Sequence, residues 1–122
     1  MYNTCVTNVT TKNGQMPEFL RKAELELLPL YRDLPGFVGY SVARIDDVSA
    51  ICWSLWQTYD QAKQSITASK NVITVGFGAQ IDDIQSLVGE MPFSVFTGER
   101  TIGTSAKAPT NGSTAPVAGR TN

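Results

Sequence analysis

A chain of 122 residues is long enough to bury one core and too short for two. Ten Lys and Arg against eleven Asp and Glu leave a formal net charge of -1 with no basic cluster, which argues against nucleic acid as a partner. No apolar run approaches the ~20 residues that span a bilayer, and the opening MYNTCVTNVTT has neither a basic nor an apolar signal region; the expectation is a cytoplasmic protein without a membrane partner.

Tyr2 to Thr11 is rich in Thr and Val and is followed by Lys12-Asn13-Gly14, the pattern of a first strand. Cys5 and Cys52 both fall in predicted strands and read as reduced core thiols. Met16, Phe19, Leu20, Ala23, Leu27, Leu30, Tyr31 and Leu34 recur at steps of three and four, which predicts a helix with Pro17 in its first turn. Pro29 should bend or interrupt that helix near Glu26, unless a short second helix begins there. Pro35-Gly36 ends the segment.

The stretch LPGFVGYSVARIDDVSAICWSLW, Leu34 to Trp56, reads as two strands joined by a turn at Asp46-Asp47. Its alternation is loose, with Val38, Tyr40, Val42 and Arg44 opposite Phe37, Gly39, Ser41, Ala43 and Ile45, and Ile51, Trp53 and Leu55 opposite Cys52 and Trp56. A strand pair with water on one side would show one polar set, so the sheet is expected to be covered on both faces. Thr58-Tyr59-Asp60-Gln61 has the form of a capping box, opening a helix to about Ser69 with Ala62, Ser65, Ile66 and Ser69 inward. Residues 70–80 are ambiguous, because Gly76 and Gly78 interrupt their apolar members. Ile81, Ile84, Leu87 and Val88 are spaced as a short helix stopped by Gly89, and Phe93 to Thr97 reads as the last strand. From Gly103 the composition turns to Gly, Ser, Thr, Ala and Pro, too poor in apolar residues to offset its ordering entropy. The expected organisation is one domain over 1–102 and a disordered tail over 103–122.

The order strand, helix, strand, strand, helix, short helix, strand gives a ferredoxin-like α+β layer, an antiparallel sheet with helices on one face. The other face, apolar by its pattern, then requires a partner, and a twofold homodimer that presses two sheets together is the simplest.

LPGFVGYSVAR, followed by a hairpin and a strand ending in LWQTYDQAK, resembles the antibiotic biosynthesis monooxygenase family of dimeric α+β barrels. The resemblance covers roughly Tyr2 to Thr97 in element order, with its specific residues between Leu34 and Lys63. It implies a pocket between sheet and helices, and oxidation of phenolic or hydroquinone-like polycyclic molecules by molecular oxygen without a cofactor. The family's strand-ending Trp matches Trp56; its Asn four positions earlier is Cys52 here, and its Tyr six positions later is Ala62. The haem-degrading branch needs a His ligand, and this chain has no His.

The candidate catalytic residues are therefore Trp56, Tyr40 and Arg44, with Trp53, Cys52, Asn8 and Phe77 as candidate substrate contacts. Each has a plainer reading. Trp53 and Trp56 face opposite sides of their strand, so one lines a pocket or both simply pack. Arg44 either binds an anionic substrate or extends to solvent, and Asn8 is a weak strand signal. Asp46-Asp47 and Asp82-Asp83 are explained by a turn and a solvated edge without metal. Two functions stay open: a cofactor-free oxygenase acting on a small aromatic substrate, or a non-catalytic barrel that binds a small ligand or assembles.

Overall fold

The computed structural model describes residues 1–95. Strands β1 (Tyr2–Thr11), β2 (Phe37–Arg44), β3 (Ser49–Trp56) and β4 (Ile81–Met91) form one antiparallel sheet in the order β2-β3-β1-β4. Helices α1 (Met16–Lys22), α2 (Leu28–Arg32) and α3 (Tyr59–Gly76) pack on one face of it, the ferredoxin-like α+β arrangement. The core lies between these layers, where Val9, Ala50 and Trp56 from the sheet meet Phe19, Ala23 and Ala62 from the helices.

Pro29 is accommodated by a change of helical pitch. Between α1 and α2 the chain makes a π-helical turn, Ala23–Leu27, in which the Leu28 N–H reaches back five residues to the Ala23 carbonyl. Pro29 then sits in the first turn of α2, where a missing N–H leaves no bond unmade. Pro35-Gly36 turns the chain into β2. Gly36 has φ +80°, its carbonyl accepts from Gln57 N–H at 2.9 Å, and any Cβ there would overlap the Gln61 side chain. That Gln61 completes the expected capping box: its N–H donates to Thr58 Oγ1 and its Oε1 accepts from the Thr58 N–H, both at 3.1 Å.

Three expectations need correction. The second long helix does not stop near Ser69 but runs through the ambiguous segment to Gly76. The helix expected over 81–88 is strand β4. Thr10 pairs with Asp83 but Thr11 pairs with Ile81, so Asp82 is an extra residue at a bulge. The bulge brings Ile81 and Ile84, three apart, to the same face, and this imitates helical spacing. Beyond it the period returns to two, with Ser86 and Val88 on the helix side and Leu87 68 % exposed on the other. The last strand consequently lies earlier than expected: Phe93 and Val95 are exposed and outside any strand, while Phe96, Thr97 and the tail from Gly103 lie outside the described residues.

A second irregularity, between Phe37 and Gly39, makes Val38 the extra residue of β2. Phe37 thereby shares the helix-facing side with Tyr40 and Val42 instead of opposing them. No described helix covers the opposite face of the sheet, which carries Val6, Ile51, Trp53 and Leu87.

Candidate functional site

Small residues line the inner side of α3, and they leave a space where larger ones would have closed it. Ala62, Ser65 and Ser69 are buried there. Between this helix, the α1–α2 segment and the sheet lies a cavity of about 400 Å³. Its floor includes Cys5 and Thr7 of β1, Tyr40 of β2, Cys52 of β3 and Ile84 of β4. Its roof includes Tyr31, Ser69 and Ile73.

Two of the seven residues proposed from sequence, Tyr40 and Cys52, line this cavity. Trp56 is wholly buried four residues beyond Cys52 on the same side of β3 but does not line the cavity. Its indole N–H donates to Ser54 Oγ at 2.9 Å, and its ring meets Tyr31 edge-on at 6.0 Å and Phe37 at 5.6 Å. Tyr31 in turn packs on Tyr40 with ring centres 5.1 Å apart. Trp56 is thus a support for the wall. Arg44 is exposed near the turn of the β2–β3 hairpin and pairs with Asp47 at 2.6 Å. Trp53 and Asn8 lie on the sheet face away from the helices, since alternation in β1 and β3 sends them there. Phe77 is fully buried against Phe19, 5.9 Å between ring centres, with Lys22 Nζ 5.4 Å from its ring centre.

Tyr31, Cys5 and Lys70 line the cavity and were not among the sequence candidates. Serines on the inward side of a helix were the available signal for the cavity itself. Ser65 and Ser69 resemble core positions by spacing, yet they leave volume and polarity where Leu would leave neither.

The hydrogen bonds on this wall are mostly satisfied internally. Ser65 Oγ donates to the Ala62 carbonyl at 2.6 Å and Ser69 Oγ to the Ser65 carbonyl at 2.8 Å, while the Thr7 and Ser86 hydroxyls pair at 2.8 Å. Tyr40 is the exception. Its hydroxyl is buried and, among the described residues, no hydrogen bond of ordinary geometry reaches it, although the Cys52 thiol lies close enough to perturb its ionisation. Burial first, then the neighbouring Cys52 and Tyr31, holds the Tyr40 phenol far above its ordinary ionisation range. Burial likewise pushes Tyr31 up to about 12 and Cys52 up to about 11, and it raises Cys5. Among the described residues no carboxylate lines the cavity, and Lys70 is the one charged lining residue. Among the described residues no group of three or more Cys, Asp or Glu gathers as a metal site.

No family model matches the sequence, and no curated protein matches it. Solved structures do. SnoaB, a cofactor-independent oxygenase from Streptomyces nogalater, is similar with a TM-score of 0.58 at 16 % identity, covering 84 % of this chain and 97 % of its own. A protein from Nitrosomonas europaea described as a candidate antibiotic biosynthesis monooxygenase is similar with a TM-score of 0.61 at 9 % identity, over 75 % of this chain and 91 % of its own. A protein of unknown function from the same organism gives 0.63 at 10 % identity, over 80 % and 96 %. What is shared with these proteins is the fold.

The buried thiol and phenol make stability depend on alkaline pH. Cys52 ionises near its ordinary value of 9.0 in the unfolded chain and near 11 in the fold, so between these values the unfolded state binds fewer protons and stability falls as pH rises. Tyr31 adds the same effect between 10 and about 12. The melting temperature should be level from pH 7 to 8 and decline above pH 9, and Cys52→Ala should make the decline shallower. Circular dichroism melts from pH 7 to 11 check this; a level melting temperature up to pH 11 would contradict the buried thiol.

Proposed function

We propose that the chain binds a fused-ring phenol or quinol in the cavity and oxygenates it with molecular oxygen, without a cofactor. The observation that carries this reading is the largely apolar cavity with Tyr40 in its wall, whose buried hydroxyl has no hydrogen bond of ordinary geometry among the described residues and only the Cys52 thiol beside it. A buried donor left unmet costs free energy, and a ligand oxygen placed there removes the cost. Because the phenol stays protonated far into the alkaline range, Tyr40 acts as a donor and never as a base.

In this reaction a ring carbon gains one oxygen atom as a carbonyl, while the other leaves as water with the two hydrogens removed from the substrate. The substrate supplies the electrons as its phenolate. Tyr40 stabilises the charge on the phenolate oxygen, and the apolar walls exclude water and strengthen that bond. Among the described residues no carboxylate lines the wall to act as a base near neutral pH, so the phenol must be acidic enough to ionise before it enters. Tyr31, held by Trp56, fixes the Tyr40 ring and makes Trp56 a positioning residue. The likeness to SnoaB supports the reaction class.

A panel of fused-ring phenols and quinols followed in an oxygen electrode tests it. Uptake above the buffer rate is expected for at least one, with Tyr40→Phe lowering kcat/KM by roughly 10- to 100-fold. No uptake across the panel would refute the oxygenase. A second reading, a ligand-binding barrel without turnover, is favoured by the lack of a carboxylate among the described wall residues; tight binding of the same compounds with no oxygen consumption would establish it.

We also propose a homodimer formed through the sheet face opposite the described helices. Its support is the apolar row Val6, Ile51, Trp53 and Leu87 on a face that no described helix covers. Sedimentation should give a dimer at micromolar concentration and a monomer for Trp53→Glu; a monomeric wild type would overturn the proposal.

A further inference from the structure

Lys70 occupies a position where the pattern of its helix calls for an inward residue. Ile66, Ser69, Lys70, Ile73 and Thr74 follow one another at helical steps of three, one, three and one, and all of them line the cavity. Lys70 is itself exposed, so its methylenes lie along the cavity rim while the ammonium stays at the mouth. Most other described cations are occupied: Arg21 pairs with Glu18, Arg44 with Asp47, Lys12 and Lys22 donate to carbonyls, and Lys63 lies over Tyr59; Arg32 at the end of α2 is likewise without an ion pair among the described residues but does not line the cavity. No carboxylate among the described residues pairs with Lys70. On its own helix the residues one turn away are Ile66, Thr67, Ile73 and Thr74, none of them acidic. Among the described residues, Lys70 is therefore the one charge at the mouth of the cavity, and no carboxylate pairs with it.

Tyr40 rises from the edge strand β2, whereas Lys70 comes from α3, which packs over β1, β3 and β4. We infer that Lys70 selects ligands bearing an acidic group, so that the cavity takes an aromatic acid with its ring oxygen toward Tyr40 and its carboxylate toward Lys70. The inference deepens the reading of the cavity given above and rests on it. Charge at an apolar mouth acts twice: it raises the local concentration of anions, and it holds the bound one where screening by solvent is reduced. Lys70 is in this sense a specificity-determining residue. It is not assigned a part in the oxygen chemistry.

The test uses the full chain, labelled with 15N, and two ligands of matched shape, 2-naphthoate and the neutral 2-naphthamide. Shifts of the Thr7, Cys52 and Ser69 amides report the cavity, and those of Trp53 and Leu87 report the outer sheet face. In the wild type both ligands should move the cavity amides, with 2-naphthoate the tighter by roughly three- to fivefold at low salt. Lys70→Gln should remove that preference while leaving the 2-naphthamide affinity unchanged, Lys70→Arg should keep it, and added salt should weaken it. An unchanged ratio of affinities in Lys70→Gln would overturn the inference while the cavity reading stood. If neither ligand moved the cavity amides, the cavity reading would fall and this inference with it.

Discussion

The structure depends on two aromatic supports that hold the helices off the sheet. At one end Trp56 stands on β3 with Tyr31 and Phe37 edge-on to it; at the other Phe19 of α1 meets Phe77 at the end of α3. All of these rings except Phe37 are buried. Between the supports α3 presents Ala62, Ser65 and Ser69, which are too small to follow the sheet inward. Close packing at the ends and small side chains between them together produce a cavity, since a layer held up at both ends cannot settle on its middle.

What that space can do follows from the groups it encloses. Burial drives Cys5, Cys52, Tyr31 and Tyr40 toward their neutral forms, so the interior offers hydrogen bonding and polarisability without charge. Most of its hydroxyls are already bonded to backbone or to one another. The Tyr40 donor and the Lys70 cation remain, one inside and one at the mouth. An interior so arranged is poor at acid–base chemistry and suited to holding a molecule that brings its own reactivity.

Much of the fold was legible in the sequence. The β-branched run of β1, the capping box at Thr58, the turn at Asp46-Asp47 and the helical spacing from Met16 all read correctly, because each is a local signal. The misreadings within the strands share one cause. Bulges at Asp82 and Val38 insert a residue that alternation cannot anticipate, so Ile81 and Ile84 imitated a helix and Phe37 was placed opposite Tyr40. The site was less legible than the fold. Tyr40 and Cys52 were found through their strands, but the cavity depends on where the serines and Lys70 of α3 come to rest over the sheet, a relation between distant segments that no local pattern contains. Trp56, which matches the strand-ending Trp of the resemblance, packs against Tyr31 and Phe37 and is not among the residues that line the cavity.

The central claim is that the Tyr40 hydroxyl has no hydrogen bond stronger than its contact with the Cys52 thiol until a ligand supplies one, and the unfolding free energy of ligand-free Tyr40→Phe tests it most directly. Removing a buried hydroxyl without a partner should leave stability unchanged or raise it by up to about 1 kcal/mol in urea unfolding. A loss of more than about 1 kcal/mol would mean that the hydroxyl already has a structural partner, and it would contradict the account.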